Sequence, residues 1–591
     1  MHLNILALDL DGTIAENDVV KDETWATLCK AKEAGFTLIL VTGRRMSEWS
    51  KIRPFEEICA AIVAEDGAAI YFPRNEAMML PFGKIAPEVI EKLEARNIPL
   101  ERGLAIAATW RPHDRDVLEV LSNTSYAATI EYNKGAVMVL PPGATKGTGL
   151  LTALNELGFS PHNVVAFGDA ENDRSLFEQA ELAVAVANTA PEIKAIADVV
   201  LPDTNGKGVS TLVENLMAGN IPPHAVRSKH MISLGKQADD LPAIISPFTL
   251  IDSNLGVFGE SGSGKSWIAG MLAEKLLQME YQICIIDPEG DHRGIRAFPH
   301  TLLLGGNKTP PPSVTDVIVL MEYSSISLIL DLSLYSMAEQ TQYVTDLMHA
   351  LCSLRQRRGK PHWFLIDEVH YFCQNDDDPL SKLFYKYMQQ GGLGLVSYRP
   401  SLIAPSLLKI IGNWLLTRIK NTSEQEVLRK YMGEQKCSNR NLEQIASLSS
   451  KEAYLCLGNT VQKNPPKAGV IELEATKRIV THVRHLHKYL RAPLPRDKQF
   501  HFFIENHNYK GPRTAASLWE FSEVLHKLPA QIIQYHLERK DFEHWLTETL
   551  HDPELARRLH KVANRKLKGE ILREVITATV AARFDELESL I

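Results

Sequence analysis

The sequence predicts an α/β fold class, with two successive open sheets followed by a helical end piece. Apolar runs such as "NILALDL", "TLILVTG" and "VVAFGDA" alternate with amphipathic stretches over residues 1–215. That alternation is typical of strands buried in a parallel sheet and of the helices between them. A second alternating series, which includes "LGVFG" and "SLILDL", covers residues 232–475, and the chain after 476 is helical and basic.

Length and composition favour a multidomain globular protein. At 591 residues the chain is too long for one core, and roughly three or four domains are expected. Its formal net charge of -8 argues weakly against bulk nucleic-acid binding, although a central pore can be basic while the exterior is acidic. No apolar run reaches the roughly 18 residues of a membrane span, so we expect no membrane partner.

Cysteine usage and the N-terminus indicate the compartment. The seven cysteines contain no CxxC pair, so neither a disulfide framework nor a zinc site is expected. The chain enters an acidic strand-turn directly, without the basic and apolar regions of a signal peptide. We therefore expect a cytoplasmic protein.

Domain boundaries follow from shifts in pattern. We place the first domain at 1–217, with an inserted segment at about 80–140. A linker at 218–231 follows, because "AGNIPPHAVRSKH" holds two prolines and no periodicity. The second domain covers 232–475, and a basic segment with a helical C-terminal domain covers 476–591.

The first candidate site begins where the strand "ILALDL" ends, at Asp9 and Asp11. Ligands bind at the carboxyl ends of strands in open α/β sheets. Paired aspartates at that position suit Mg²⁺ binding, with one carboxylate available to attack a phosphorus atom.

Three further elements follow Asp9 in a fixed order. "VTGRR" places Thr42 after a second strand, "GATKGTG" supplies Lys146, and "FGDAENDRSLF" places Asp169 and Asp173 after another strand. With "LDLDGT", these elements resemble the four motifs of the haloacid dehalogenase superfamily of phosphatases. The resemblance covers about residues 1–215 and is closest to the branch with a cap inserted between the second and third motifs.

This resemblance implies a Mg²⁺-dependent phosphatase on a Rossmann-like domain with a small α+β cap. Asp9 is then the nucleophile that forms an aspartyl-phosphate, and Asp11 protonates the leaving group and activates water. Thr42 and Lys146 hold the phosphoryl oxygens. The resemblance implies that Asp9 and Asp169 bind Mg²⁺, with Asp173 supporting them and Asp11 also counted among the metal-site residues. A short cap resembles those of relatives that act on small phosphate esters, and it leaves the substrate open.

The second candidate site is the glycine-rich loop "GESGSGKS". It lies between the strand "LGVF" and the helical stretch "WIAGMLAEKLLQM", which is the context of a P-loop. In such a loop, backbone N–H groups bind phosphates, the lysine reaches the terminal phosphates, and the serine binds Mg²⁺. The predicted ATP-binding residues are Gly259, Glu260, Ser261, Gly262, Ser263, Gly264, Lys265 and Ser266.

The acidic pair of "WFLIDEVHYF" indicates the class of P-loop protein. Asp367 suits Mg²⁺ coordination, and Glu368 suits activation of water, a role that a kinase does not need. Group transfer is therefore disfavoured. An ABC-type ATPase is disfavoured too, because no "LSGGQ"-like signature lies between the loop and the acidic pair.

The motifs "ISLGKQADDLPAIISP", "IIDPEGD", "LIDEVH" and "GLGLVSYRPS" resemble the HerA/FtsK class of hexameric DNA-translocating ATPases. The resemblance is closest to the HerA-like branch and covers about residues 230–475. It implies a RecA-like fold, with the turn from Asp287 to Asp291 near the nucleotide and Arg399 in the γ-phosphate sensor. Tyr398 replaces the usual glutamine there, which predicts less efficient hydrolysis. Four arginines are candidates for action in a neighbouring subunit: Arg355, Arg357, Arg358 and Arg418.

Two features of the C-terminal segment allow more than one interpretation. The run "THVRHLHKYLRAPLPRDKQFHFF" suits contact with nucleic-acid phosphates or with a neighbouring subunit's nucleotide, and it equally suits a solvated helix face. The residues after it look like a helical domain appended to other HerA-like ATPases. A polar constellation of His536, Arg539, Asp541 and Trp545 is expected to pack rather than to react.

The combined interpretation is a phosphatase fused to an ATPase ring, with Mg²⁺ and ATP as cofactors. We expect a homo-oligomer, a hexamer, that docks on or translocates DNA, with a nuclease or other effector protein as partner. Analogy with HerA relatives suggests DNA-end processing or anti-phage defence. The alternatives are a polynucleotide kinase-phosphatase and a metabolic phosphatase that an ATP-binding ring assembles.

Overall fold

The protein was analysed as a computed structural model. It describes residues 2–133, 135–222, 231–306, 309–323, 325–433, 437–458, 465–474, 490, 499–503, 514–550, 552–565 and 567–588. The chain forms two compact units. The first comprises Met1–Cys284, Ser313–Leu328 and Thr341–Lys477, and the second comprises Ile285–Pro312, Ile329–Gln340 and Arg478–Ile591. Most of the predicted linker and of the basic segment after 476 lies outside the described residues.

The N-terminal part of the first unit is built on an eight-stranded sheet. Its core consists of parallel strands whose residues are almost all buried, as the apolar runs predict. The strands are β1 (Ile5–Asp9), β2 (Thr37–Val41), β3 (Cys59–Ala64), β4 (Ala69–Phe72), β5 (Ala77–Met79), β10 (Val164–Gly168), β11 (Leu182–Ala185) and β12 (Val199–Val200). They are arranged in the order β12-β11-β10-β1-β2-β3-β4-β5, and β4 and β5 are antiparallel.

Helices pack beside this sheet. They are α1 (Asp22–Glu33), α2 (Phe55–Ile58), α5 (Lys146–Leu157), α6 (Arg174–Gln179), α7 (Pro191–Lys194) and α8 (Asn205–Met217). Helix α5 begins with a capping box, because the Thr145 hydroxyl accepts from the N–H of Thr148 and the Thr148 hydroxyl accepts from the N–H of Thr145. Gly158 caps its C-terminus with a φ of 70°, a left-handed conformation that suits glycine. The N-terminal capping box fixes where the helix starts, and Lys146 is its first residue.

The cap is a separate α+β layer inserted between β5 and α5. It holds helices α3 (Pro87–Ala95) and α4 (Asp114–Ser122), and strands β6 (Glu101–Arg102), β7 (Ala107–Trp110), β8 (Thr129–Asn133) and β9 (Ala136–Leu140). The strands form an antiparallel sheet in the order β6-β7-β9-β8. One face of this sheet packs on the two helices through Val89, Leu93 and Val117.

The nucleotide-binding part of the first unit has its own sheet. Its strands run in the order β14-β13-β23-β22-β21-β15-β20-β19. They are β13 (Ile232–Gln237), β14 (Pro242–Ile245), β15 (Leu255–Phe258), β19 (Trp363–Ile366), β20 (Leu393–Ser397), β21 (Asn413–Leu416), β22 (Glu452–Cys456) and β23 (Gly469–Leu473). Strands β21, β15, β20 and β19 are parallel neighbours, which is the arrangement expected around a P-loop.

The helices of this part follow the same α/β alternation. They are α9 (Phe248–Ile251), α10 (Lys265–Gln278), α11 (Val314–Glu322), α12 (Met337–Arg358), α13 (Pro379–Met388), α14 (Pro405–Ile410), α15 (Thr422–Met432) and α16 (Asn439–Ser447). Strand β16 (Ile283–Asp287) and strand β18 (Ser327–Asp331) each start in the first unit and continue into the second.

The second unit contains β17 (Thr301–Gly305) and a C-terminal helical body. The C-terminal elements are β24 (Phe500–His501), β25 (Thr514–Ala515), α17 (Leu518–Leu525), α18 (Ala530–Glu538), α19 (Asp541–His544), α20 (Pro553–Ala563) and α21 (Gly569–Glu588). An aromatic core that includes Phe500, Phe521 and Phe542 holds these helices together. Within the described ranges, no helix has the length and apolarity that a bilayer crossing requires.

The two sheets of the first unit contact each other through polar and aromatic side chains. The Tyr281 hydroxyl donates to Glu181 over 2.6 Å, and Nδ1 of His162 lies 2.7 Å from the other oxygen of that carboxylate. The His162 and Tyr281 rings stack, with centroids 3.8 Å apart. A second contact pairs His2 with Asp252 at 2.8 Å. These pairs join the N-terminal domain to the nucleotide-binding domain.

The end of helix α12 makes a third contact with the N-terminal domain. Arg358 donates to the carbonyl of Leu157 over 2.7 Å, and its guanidinium lies 4.7 Å from the centroid of the Phe159 ring. Asn163 donates to the carbonyls of His2 and Gly359. Both the packing and the hydrogen bonds therefore fix how the two domains of this unit meet.

Candidate active sites

The first site lies at the carboxyl edge of the N-terminal sheet. Asp9 is the last residue of β1 and is buried, and Thr42 follows the neighbouring strand β2 and is also buried. The Thr42 hydroxyl accepts from the N–H of Arg44 over 3.1 Å. Parallel strands that end together bring these two side chains to one edge of the sheet, as the sequence predicts.

Lys146 lies between two carboxylates of this site. Its Nζ is 2.7 Å from Oδ1 of Asp9 and 2.6 Å from Oδ1 of Asp173, and all three side chains are buried. The other oxygen of Asp173 accepts from the N–H groups of Asp169 and Ala170. Asp173 of the fourth motif therefore contacts Lys146 of the third motif.

The carboxylates of Asp9, Asp169 and Asp173 form a group that suits a divalent cation. Each offers one oxygen, and these oxygens lie within 4.8 Å of one another. Buried carboxylate oxygens are the ligands that Mg²⁺ prefers, so the residues fit the ion that the motifs imply. Burial, with the neighbouring Asp173, raises the pKa of Asp9 to about 8. A bound cation would favour the ionised, nucleophilic form of Asp9.

The structure places Asp11 apart from this metal group. Both of its oxygens accept from Arg44, over 2.7 Å and 2.6 Å, in a bidentate pair, and its side chain is 36% exposed. Asp18 also pairs with Arg44. Among the described residues, the carboxylate group that could hold a metal ion consists of Asp9, Asp169 and Asp173, so the metal role of Asp11 stays a prediction. Its proton-transfer role stays a prediction.

Two acidic residues after β3 were missed by motif analysis. Glu65 and Asp66 both have positive φ angles, 53° and 49°, and both are buried. Glu65 accepts from the N–H groups of Leu104 and Ala105, so it fastens the cap to the sheet domain. Asp66 accepts from Asn172 over 2.9 Å, beside the metal group. The sequence signal that could have identified these two residues is the segment "AEDGA", which lies at the end of a strand, as the motif aspartates do.

The P-loop of the second site joins β15 to α10. Gly262 and Gly264 have φ angles of 75° and 103°, which explains why glycine occupies these positions. At Gly259, a Cβ would lie 1.8 Å from the Thr417 hydroxyl oxygen. Ser263 contacts the same hydroxyl at 2.6 Å. The neighbouring strand β21 therefore shapes the loop.

Lys265 is buried at the start of α10, and Ser266 follows it. Its Nζ donates to the carbonyl of Glu260 over 3.0 Å, which holds the lysine folded over its own loop. The helix N-terminus and its N–H groups provide an anion site of the kind that nucleotide phosphates occupy. The loop therefore has the architecture that ATP binding needs.

The acidic pair lies at the end of β19. Asp367 is buried, and its Oδ1 accepts from the N–H of Glu368, which adopts a left-handed φ of 46°. His370 lies 3.3 Å from the Glu368 carboxylate and 3.0 Å from the Ser397 hydroxyl. Ser397 is the last residue of β20, which pairs directly with β19. The sequence did not single out His370, which links the acidic pair to the motif "SYRP".

Tyr398 lies against the P-loop lysine. Lys265 Nζ is 6.0 Å from the centroid of the Tyr398 ring, and the exposed Arg399 has its guanidinium carbon 5.7 Å from the same centroid. The side chain that replaces the expected glutamine thus lies near two cations. Its effect on hydrolysis stays a prediction.

The four candidate arginines have different environments. Arg355 is buried and donates to the carbonyls of Ile251, Pro361 and His362, and Arg358 is held at the domain contact described above. Both have structural partners within their own chain. Arg418 forms an ion pair with Glu260 at 3.7 Å, and Arg357 is more than half exposed.

The second unit contains the turn from Asp287 to Asp291. Asp287 accepts from the N–H groups of Gly290, Asp291 and His292, which closes the turn around a single carboxylate. Burial raises the pKa of Asp287 to about 7. Arg293 forms an ion pair with Asp331 in the same unit.

The structure assembles the polar constellation of the C-terminal domain. Nδ1 of His536 lies 2.8 Å from Asp541, and its Nε2 accepts from the N–H of Phe503 over 3.1 Å. Arg539 pairs with Asp541 at 3.2 Å. His536, Asp541 and Trp545 line a cavity of about 210 Å³. Burial lowers the pKa of His536. Both ring nitrogens of His536 therefore have partners within the domain, and the packing role of the cluster stays a prediction.

The fold and the lysine–carboxylate site define the N-terminal domain as a phosphoryl-transfer hydrolase. The family of haloacid dehalogenase-like hydrolases matches residues 6–101 and 115–213. Phosphoglycolate phosphatase 2 of Saccharolobus solfataricus is 31% identical over 221 residues, which cover 36% of this chain and 93% of that protein. A phosphoglycolate phosphatase of Methanopyrus kandleri is 30% identical over 230 residues, covering 36% of this chain and 97% of that protein.

The second domain and a solved structure complete the comparison. The family "Helicase HerA, central domain" matches residues 232–467. A haloacid dehalogenase-like hydrolase from Bacteroides thetaiotaomicron covers 36% of this chain and 99% of its own, with 20% identity and a TM-score of 0.32. The chain belongs to the haloacid dehalogenase-like hydrolases through its N-terminal domain, which is fused to a HerA-like P-loop domain. Both predicted resemblances and the predicted fold class are confirmed.

Proposed function

We propose that the chain is a bifunctional enzyme: a Mg²⁺-dependent phosphatase of small phosphate monoesters, fused to an ATPase that assembles as a ring on DNA. The buried group of Lys146 with Asp9 and Asp173 carries the first half of the proposal. The P-loop with the acidic pair Asp367 and Glu368 supports the second half.

The phosphatase reaction follows from the chemistry of the site. An oxygen of the Asp9 carboxylate attacks phosphorus, the bond from phosphorus to the leaving oxygen breaks, and Asp11 gives its proton to that oxygen. Asp11 then takes a proton from water, which attacks the phosphorus of the aspartyl-phosphate and restores Asp9. Lys146 and the Thr42 hydroxyl stabilise the charge on the phosphoryl oxygens. A Mg²⁺ ion held by Asp9, Asp169 and Asp173 would neutralise the dianion as it approaches.

The relatives indicate where the substrate search starts. The curated relatives named above are phosphoglycolate phosphatases, so 2-phosphoglycolate is the first small ester to test. The decisive phosphatase assay is Mg²⁺-dependent phosphate release from p-nitrophenyl phosphate. Asp9→Asn is the blank, and Lys265→Ala is the matched control with an intact first site.

ATP hydrolysis on DNA is the proposed work of the second domain. At the P-loop, Lys265 and Ser266 would contact the nucleotide phosphates, Asp367 would hold Mg²⁺, and Glu368 would polarise the attacking water. The match to the HerA central domain supports DNA as the partner and a hexamer as the assembly. A nuclease or other effector partner, anti-phage defence and a cytoplasmic location belong to the same proposal and rest on analogy.

The test of this second half measures ATP turnover with and without linear duplex DNA. It uses the Asp9→Asn background, so that the phosphatase domain releases no phosphate from ATP, and Lys265→Ala in that background is the blank. Strong stimulation by DNA supports the DNA motor. Lys265-dependent turnover without stimulation would instead support an ATP-binding ring that assembles the phosphatase. Particle mass with ATP, measured on Glu368→Gln, tests the hexamer.

A further inference from the structure

The two faces of the cap sheet differ in the side chains that they present. On strand β8, Ile130 belongs to the face that packs on the cap helices. Because side chains alternate along a strand, Thr129, Glu131 and Asn133 share the opposite face. Directly paired residues of an antiparallel sheet lie on the same face, and Glu131 pairs with Met138 of β9. Met138 packs with Ala68 and Ala144 of the sheet domain.

The polar face of β8 is therefore directed at the phosphatase site. Ala68 directly follows the Asp66–Gly67 turn, and Ala144 is two residues before Lys146. The Thr129 hydroxyl accepts from the N–H of Gly143 in the same loop, over 3.0 Å. Strand β8 also lies against the turn Glu171–Asp173 of the fourth motif. Glu131 thus extends from the cap toward the space above the phosphoryl site.

A second carboxylate faces the same space from the sheet domain. Asp66 is fully buried, and its Oδ1 accepts from Asn172. Its Oδ2 has no hydrogen-bond partner among the described residues, and neither does the buried Oδ1 of Asn133. Burial, and after it the charge of Asp66, raise the pKa of Glu131, and Lys146 lowers it. Buried acceptors without a protein donor leave room for a donor from water or from a ligand.

We propose that Glu131 and Asp66 form a subsite for the leaving group, and that this subsite selects phosphate monoesters whose alcohol carries a hydrogen-bond donor, an ammonium or a hydroxyl, and rejects those that carry a carboxylate. The inference rests on the proposed phosphatase function and names the substrate class of that site. Lys146 and the metal group bind the phosphate, and the carboxylate of Glu131 contacts the leaving-group end of a short ester. A carboxylate there would meet two like charges in a desolvated space.

This subsite predicts a specificity that differs from the activity in the relatives' names. Three esters of nearly equal size separate the possibilities: 2-phosphoglycolate ends in a carboxylate, 2-hydroxyethyl phosphate in a hydroxyl, and phosphoethanolamine in an ammonium. Burial is the main cause that raises the pKa of Glu131, to about 7, so the assay is run at pH 8. We expect kcat/KM for each of the two donor esters to exceed that for 2-phosphoglycolate by about tenfold or more.

Two variants test whether Glu131 and Asp66 cause this substrate selectivity. Glu131→Gln removes the charge at constant size and is expected to reduce the ratio of donor ester to 2-phosphoglycolate by about tenfold. Asp66→Asn, which keeps an acceptor for Asn172, is expected to change the ratio in the same direction. Glu119→Gln is the matched control, since Glu119 is an exposed cap carboxylate paired with Arg96, and it should leave all three values unchanged.

Several outcomes would overturn the subsite. The wild-type series needs no variant to fold: equal or better turnover of 2-phosphoglycolate contradicts the inference, and so does turnover of p-nitrophenyl phosphate with none of the three esters. An unchanged ratio in Glu131→Gln also contradicts it. Failure of the wild-type protein to hydrolyse p-nitrophenyl phosphate with Mg²⁺ would instead refute the proposed phosphatase function. Preference for phosphoethanolamine over 2-hydroxyethyl phosphate would support charge pairing within the subsite, and equal turnover would support hydrogen bonding.

Discussion

Lys146 Nζ lies 2.7 Å from Oδ1 of Asp9, although 137 positions separate the two residues in the chain. The same ammonium contacts Asp173. One buried cation thus offsets part of the repulsion within a group of three buried carboxylates, which also includes Asp169. This balance of charge leads to the first two predictions.

Asp9→Asn should abolish phosphatase turnover and leave ATP hydrolysis intact. The amide has the shape of the carboxylate and lacks its nucleophilic charge, so we expect a loss on the order of 10³-fold or more in kcat. Phosphate release from p-nitrophenyl phosphate and from ATP measures the two activities separately. Loss of both would show that the two sites are coupled.

Lys146→Met should impair both catalysis and stability. Removal of one partner of a buried ion group costs about 3–5 kcal/mol, because the remaining carboxylates are left without their cation. Urea unfolding at pH 7 measures the loss. Added Mg²⁺ should recover part of it, about 2.7 kcal/mol at a hundredfold excess over Kd. Lys207→Met, at an exposed lysine paired with Asp203, is the control and should cost little.

Glu368→Gln should stop ATP hydrolysis and retain ATP binding. The proposed role of Glu368 is to polarise water, and loss of such a group lowers kcat by about 10²-fold or more. His370 contacts both Glu368 and Ser397, so His370→Asn should lower kcat to a smaller extent at unchanged ATP affinity. Nucleotide-binding and turnover assays on the Asp9→Asn background distinguish these effects. Weaker ATP binding in either variant would argue for a structural role.

Tyr398→Gln tests the departure from the family motif. The Tyr398 ring lies 6.0 Å from Lys265, and an amide at this position can donate to a phosphate oxygen. One additional hydrogen bond of about 1 kcal/mol in the transition state raises kcat by about fivefold. Steady-state ATP hydrolysis measures this gain. Slower hydrolysis would mean that the tyrosine itself contributes to catalysis.

His362 should make the stability of the protein depend on pH between 5 and 7. Burial lowers the pKa of His362 well below its usual value, and its Nδ1 accepts from the N–H of Gln282, so the folded protein holds the neutral ring. The unfolded chain takes up a proton below pH of about 6.5, where the folded chain does not. The stabilisation is therefore complete above that pH, and it falls by about 1.4 kcal/mol per unit as the pH decreases. Unfolding curves should show a flatter profile in His362→Asn.

The motif residues of the first site could be placed from the sequence because each follows a strand. Asp9 is the last residue of β1, and Thr42 and Asp169 directly follow β2 and β10. These three strands are parallel neighbours, so the sequence positions imply that the side chains share one edge. The pairing of Asp11 with Arg44 could not be predicted. It depends on how a loop folds after β2, and no strand pattern records that.

The position of Glu131 in the cap and the contact between the two domains could not be predicted from the sequence, because both depend on tertiary structure. Glu131 shares a face with Met138 because β8 and β9 pair in this register, and a shift of one residue would turn Glu131 to the helices. The pair of Tyr281 with Glu181 joins two domains whose contact leaves no motif in the sequence. The contact of His536 with Asp541 could be expected because only five positions separate the two residues, whereas the contact with the N–H of Phe503 depends on tertiary folding.

The contact between the two domains of the first unit has a directional consequence. His162 and Glu181 precede strands β10 and β11, and Tyr281 and His362 precede strands β16 and β19. The amino-terminal edges of two parallel sheets therefore meet back to back. Both reaction centres lie at the opposite, carboxyl edges, so they open away from each other. A product released at either edge would therefore have to cross solvent before it could reach the other site.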